Sequence, residues 1–248
     1  MTHKVWDVCA QMGTGDRKGD VLESAITAER ILENMDAGGV QRSVIYPVTW
    51  NHYVEKSNRE IADAAAKHPG RFIGLARVNP VSTGGIALLE KALSLKGMAG
   101  IRLRPFNDKF SLSDPSVERV FSLAEERKIP IAVDGEKDKE AFVSLLKKHT
   151  KVPVILMHLG DFGNWVWQNG KAYMELLEQV PHFYMATCFE IIHFFLEEAI
   201  RRAPRKVVFG SDSPSLPPSM ELKKIEVMKL PDEDLARVVG GNLSGIFG

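Results

Sequence analysis

Lys206-Val207-Val208-Phe209-Gly210-Ser211-Asp212-Ser213-Pro214 is an apolar run that halts at a glycine and sets an acid shortly before a proline. A strand buried on both faces of a parallel sheet reads as a continuous apolar run. In barrels of parallel strands, the residues at the C-terminal ends of the strands line the active site. On that reading Asp212 is a candidate catalytic acid. Taken alone, Ser-Asp-Ser-Pro is also ordinary turn sequence, so the rest of the chain decides between the two.

Working outward, comparable runs lie at 4–10, 42–48, 72–78, 100–104, 129–134, 152–159 and 183–187, which with 206–210 makes eight. Segments of helical periodicity separate them. Parallel neighbours need a crossover connection, so strands alternating with helices imply βαβ units. Eight such units in a chain of 248 residues predict a closed (β/α)8 TIM barrel rather than an open doubly wound sheet. The helices carry their own punctuation. Asp114-Pro115 sets an N-cap acid before a first-turn proline, and Val117, Val120, Phe121 and Ala124 then repeat at the spacing of a buried face. Ile31 and Met35 lead to a glycine stop at Gly38-Gly39, and 59–67 stops at His68-Pro69-Gly70. No linker or low-complexity tract interrupts the series, so residues 1–248 read as one domain.

Composition narrows the function classes. The 32 basic and 32 acidic side chains give a formal charge of zero, and no basic run suits a nucleic-acid partner. No apolar stretch approaches the roughly 20 residues that span a bilayer, and the first residues lack an apolar signal core. The expectation is a cytoplasmic protein without a membrane partner. Cys9 and Cys188 are too few for a disulfide framework. Homo-oligomerisation stays open, because exposed apolar patches cannot be located from sequence.

The strand ends supply Asp7, Cys9 and Gln11 from the first run, Arg77 from the third, Arg102 and Arg104 from the fourth, and Asp134 from the fifth. His158 follows from the sixth, Cys188 or Glu190 from the seventh, and Asp212 from the eighth. Several pieces in this order, Gly210-Ser211-Asp212-Ser213-Pro214, His158-Leu159-Gly160, Gly100-Ile101-Arg102-Leu103-Arg104-Pro105, His68-Pro69-Gly70-Arg71-Phe72 and Gly240-Gly241-Asn242, resemble the amidohydrolase-2 family. That family, within the amidohydrolase superfamily, includes metal-dependent hydrolases, decarboxylases related to aminocarboxymuconate-semialdehyde decarboxylase, and lactonases. The resemblance implies a (β/α)8 barrel and a divalent metal held by a His-x-His pair, two further histidines and the strand-eight aspartate. Here the family's Asp-x-His-x-His is Asp7-Val8-Cys9-Ala10-Gln11, and Asp134 stands where its strand-five histidine would lie. Only His158 and Asp212 carry over.

Two site chemistries follow. Thiolate, imidazole and carboxylate are all accepted zinc ligands, so Cys9, Asp134, His158 and Asp212 form a possible four-ligand set. Three anionic ligands would blunt the metal's power to acidify a bound water, which tips the expectation toward a site working without a catalytic metal. Asp212 and His158 then act as an acid and base pair. The resemblance supplies the precedent of metal-free lactonases, in which an aspartate activates water and arginines hold substrate carboxylates. The alternative for Cys9 is a small buried apolar residue.

Arg102 and Arg104, two apart on a strand, point to one side, with Ile101 and Leu103 to the other. They suit an anion bound bidentately, or else one of them is neutralised internally by Asp7 or Asp134. Trp50, Phe106, Trp165 and Trp167 follow strands on the same face and are expected to wall the mouth, or to pack loops onto the barrel. His3, His68, His149 and His182 fall on the far face as structural residues, whereas His52 and His193 fall on the active-site side. Strand eight separates Cys9 from Cys188 by about 9.5 Å of sheet, beyond the roughly 7 Å Cα limit for a disulfide, so both are expected free. The resulting expectation is a hydrolase acting on a small carboxylated substrate, with Asp212 and His158 catalytic and Arg102, Arg104, Trp50 and Trp165 contacting substrate. A decarboxylase with a rebuilt metal site and an inactive barrel binding an anion or a partner are the rivals.

Overall fold

The computed structural model describes residues 3–14, 26–48, 53–134, 139–160, 166–190 and 192–248. Eight parallel strands follow one another around a single sheet: β1 Val5–Met12, β2 Val40–Pro47, β3 Phe72–Arg77, β4 Met98–Leu103, β5 Ile131–Val133, β6 Val154–Leu156, β7 Phe183–Ala186 and β8 Val207–Val208. The ring is drawn together where β8 meets β1. Val8 N–H donates to the Phe209 carbonyl at 3.0 Å, and past the end of β8 Gln11 N–H donates to the Ser213 carbonyl at 2.8 Å. All eight apolar runs are strands of a (β/α)8 barrel, so the expected architecture is the one observed.

Period-two alternation sorts the strands into two apolar layers. Val44 and Tyr46, Ile73 and Leu75, Ala132, and Ile155 join Val8, Cys9, Cys188 and Val208 in one cluster within the barrel. Ile45, Phe72, Ala76, Ile131, Val133, Val154 and Leu156 pack outward against the helices. Ile101 and Leu103 belong to the outer layer, so Arg102 lies on the inner side of β4. In β1 the pairing to β2 shifts register between Asp7 and Ala10, and Val8 and Cys9 are both in the inner cluster. Simple alternation breaks at that bulge.

The helices start and stop where their punctuation places them. Asp114 caps the helix Pro115–Arg127 by accepting from Ser116 N–H, and Gly39, at φ 69°, ends the helix Ala28–Gly38. The motif Gly240-Gly241-Asn242 belongs to closure of the fold rather than to the mouth. A Cβ on Gly240 would sit 2.1 Å from the Lys4 carbonyl oxygen, and Asn242 Nδ2 donates to the carbonyls of Pro204 and Val207 at 2.7 Å. Leu243, Ile246 and Phe247 of the final helix Asn242–Phe247 pack against the inner cluster. Among the described residues no helix is long and apolar enough to cross a membrane.

Candidate active site

Strand ends bring a buried polar cluster together, and Asp212 sits in it at 4% exposure. Its φ of 60° lies in the left-handed region, as does that of His158 at 56°. Asp and His tolerate that conformation better than most residues, and backbone held there gathers at functional sites. Gln11 Nε2 donates to Asp212 Oδ1 at 2.9 Å, and the Cys9 thiol lies 3.4 Å from the same oxygen. Burial works against the charge on Asp212, but His158, Gln11 and Cys9 outweigh it and hold its carboxyl below the usual range.

His158 stands between two carboxylates. Its Nδ1 is 3.4 Å from Asp134 Oδ1, and its Nε2 is 4.0 Å from Asp212 Oδ1. Burial alone would strip its proton, yet Asp134, Asp212 and Cys9 together hold its pKa well above the ordinary value. The two carboxylates thus favour the protonated imidazole over the neutral one.

Asp134 in turn faces two guanidinium groups. Arg102 Nη2 donates to Oδ1, and Arg104 Nε donates to Oδ2 at 2.9 Å. Burial opposes ionisation of Asp134, but Arg102 and Arg104 prevail and hold it well below the carboxylate range. Arg102 is fully buried, reaches the Leu103 carbonyl at 3.2 Å, and lies over the Tyr46 ring at 4.8 Å. Internal neutralisation thus reaches both arginines through one carboxylate, Asp134.

Asp7 has a different task. Its Oδ1 accepts from the backbone N–H groups of Cys9 and Ser211, both at 2.9 Å, and its Oδ2 accepts from the Ser211 hydroxyl. It ties β1 to the segment carrying Asp212. With only neutral donors to offset burial, its pKa is raised from 3.8 to about 7.

Cys188 lies in the inner cluster, and Glu190 accepts from Ile192 N–H. Both cysteines are free, as expected. Their side chains nonetheless converge: the sulfurs of Cys9 and Cys188 and a ring nitrogen of His158 lie within 4.8 Å of one another. Counting strands gave a backbone spacing and missed this approach, which Gly210 on the intervening segment makes possible. A Cβ there would meet the Cβ atoms of Cys188 and Cys9 at 3.0 and 3.1 Å.

The remaining candidates divide. Arg77 forms a buried ion pair with Asp108 and donates to the Val48 carbonyl at 3.0 Å, beside a cavity of about 690 Å³ that Tyr53 and Asn79 also line. Phe106 is exposed. Trp50, His52 and Trp165 lie outside the described residues, as does the side chain of Trp167. His193 contacts the Lys224 carbonyl at 3.1 Å, while His3, His149 and His182 meet Asp232, Glu125 and the Leu146 carbonyl. Two site residues were missed in the sequence. Tyr46, whose hydroxyl is 2.9 Å from the Cys9 sulfur, was signalled by a tyrosine at an inward position of a buried strand. Ser211 was hidden because its role depends on Asp7, 204 positions away.

Solved structures of similar shape are numerous. One is described as a probable 2-pyrone-4,6-dicarboxylic acid hydrolase from Acinetobacter baumannii with citric acid bound, at 15% identity and TM-score 0.74, covering 99% of each chain. Another is 5-carboxyvanillate decarboxylase from Sphingomonas paucimobilis, at 16% and 0.76, again covering 99% of each. A third is 4-oxalomesaconate hydratase from Rhodopseudomonas palustris, at 16% and 0.74, covering 98% of this chain and 95% of that one. At such identities the likeness establishes the fold. No curated protein sequence matches the chain. Residues 17–242 match the sequence model of the family described as amidohydrolase, and the chain therefore belongs to the amidohydrolase-2 family.

Proposed function

We propose that the chain is a hydrolase of this family acting on a small organic substrate that bears a carboxylate, with Asp212 activating water and His158 polarising the scissile carbonyl. The observation that carries the reading is the buried series from Asp212 through His158 and Asp134 to Arg102 and Arg104. An ionised Asp212 accepts a proton from water as the water oxygen bonds to the carbonyl carbon. The imidazolium of His158 donates to the oxyanion that forms, and Asp134 keeps that ring oriented. When the bond to the leaving oxygen or nitrogen breaks, the proton taken by Asp212 passes to the leaving group. Arg102 and Arg104 supply planar guanidinium groups of the kind that suit the substrate's anionic end. The likeness to a hydrolase whose named substrate carries two carboxylates on a ring agrees with this class.

The family is usually metal-dependent, so the donor set bears on the mechanism. At the positions that the resemblance assigns to ligands stand Cys9, Gln11, Asp134, His158 and Asp212. Gln11 gives its amide to Asp212, and Asp134 serves two guanidinium groups. These five do not fit a histidine-rich centre, and no step proposed here runs through a metal.

Asp212→Asn tests the reading. On a panel of carboxylated lactones and amides, kcat/KM is expected to fall by about 10²- to 10⁴-fold while the melting temperature stays near wild type. Retained hydrolysis by this variant would rule out the assigned base. Release of CO2 without a hydrolysis product would move the chain to the decarboxylases. Absence of turnover on every substrate, with thermal stabilisation by an anion, would make it a binding barrel.

A further inference from the structure

The mismatch with a histidine-rich centre has a positive side. The geometry points to a site for a soft, thiophilic divalent cation, zinc or cadmium, built from Cys9, Cys188 and His158 with Asp212 as fourth donor. Three donor atoms, one from β1 and one each from the segments after β6 and β7, already lie within 4.8 Å of one another, all on buried side chains. A tetrahedral ion with bonds of 2.0–2.3 Å has ligand-to-ligand edges of roughly 3.3–3.8 Å. Asp212 Oδ1 is 3.4 Å from the Cys9 sulfur and 4.0 Å from His158 Nε2, so it completes the shell with small side-chain shifts.

The surroundings suit that use. His158 turns Nδ1 toward Asp134 and Nε2 toward Asp212, which makes Nε2 the nitrogen assigned to the ion. A carboxylate on the other ring nitrogen is the usual outer partner of a metal-binding histidine. Asp134 is thereby an orienting group rather than a ligand, and Cys188 takes the place that the sequence had given to it. Two sulfurs select soft or borderline ions over magnesium or calcium, which prefer oxygen. As the metal–ligand bonds form, both thiols and the Nε2 of the His158 imidazolium release their protons, three in all. Since His158 and Asp212 are also the groups of the hydrolytic reading, occupancy would shut that chemistry off; this consequence, unlike the site itself, rests on that reading.

Binding is read without substrate. Protein expressed in zinc-supplemented medium and purified without chelator is expected to carry about one zinc per chain by elemental analysis. Exchange with cobalt should give a sulfur-to-metal charge-transfer band, and magnesium should not compete. Cys188→Ser and Cys9→Ser should each lose the band and weaken binding beyond the roughly 10- to 100-fold that loss of an outer-shell partner costs. Gln11→Ala, which removes a hydrogen bond to Asp212 at a family ligand position, should keep the band and weaken binding by no more than that outer-shell loss. Thermal melting identifies any variant that fails to fold, and the wild-type band and stoichiometry decide the matter in that event. Absence of stoichiometric zinc and of the band in the wild type overturns the site. Full binding by folded Cys188→Ser, or loss of binding in folded Gln11→Ala alone, overturns it too. An active Asp212→Asn beside a zinc-binding wild type would sink the hydrolytic reading and leave this site standing.

Discussion

The two sides of the barrel mouth solve the same problem in different ways. Along the seam of β8 and β1, Asp7 is fully buried and meets only neutral donors, the N–H groups of Cys9 and Ser211 and the Ser211 hydroxyl. Across the arc from β4 to β6, Asp134 is nearly as buried but meets Arg102, Arg104 and His158. The first carboxyl is pushed up to about 7; the second is held well below the usual range. Desolvation is the leading influence on both, so the difference comes from whether a full positive charge is present to offset it. Asp212, between the two sides, takes neutral donors from Gln11 and Cys9 and a cation from His158, and its carboxyl lies on the lowered side.

That contrast is open to direct attack. Asp134→Asn leaves two buried guanidinium groups without their counter-charge, and removing one partner of a buried pair costs about 3–5 kcal/mol. Urea unfolding should therefore show the largest loss here; an unchanged midpoint would mean that Arg102 and Arg104 do not depend on Asp134. Asp7→Asn probes the other side. In the folded state Asp7 binds its proton up to about pH 7, whereas the unfolded chain releases it near 3.8, so its contribution is fully present below 3.8 and is lost as pH rises to about 7. That contribution amounts to at most about 4 kcal/mol, at 1.36 kcal/mol per unit. Between those limits the stability of chelator-treated wild type should fall relative to Asp7→Asn; parallel profiles would show that Asp7 is charged and that the contrast is false. Ser211→Ala removes one neutral donor from Asp7 and should cost about 1–2 kcal/mol, the smallest of the three effects. A loss as large as that of Asp134→Asn would mean that the seam is held as tightly as the charged arc.

Much of the fold was legible because its signals are local. The eight apolar runs, the cap at Asp114-Pro115 and the glycine stop at Gly38-Gly39 each depend on a few consecutive residues, and each appears where the pattern puts it. Strand limits were less so. The run 206–210 yields only Val207–Val208 as strand, and 152–159 only Val154–Leu156, because apolar sequence marks burial whereas a strand ends where its backbone pairing ends. The placing of His158, Asp134, Arg102, Arg104 and Asp212 near one another was also legible, since a barrel carries every strand's C-terminal end to one face.

By itself, then, the sequence determined the barrel, the residues at its strand ends and the family, since each rests on periodicity or on short motifs in order. The tertiary structure alone decided which of those residues pair. It set Asp134 against two arginines rather than in a ligand shell and gave Asp7 to Ser211. It also brought Cys188 across the glycine at 210 to Cys9 and His158. Pairing depends on side-chain direction and on distances of a few ångströms across strands far apart in the chain, and one missing Cβ changes them without leaving a period or a motif to read.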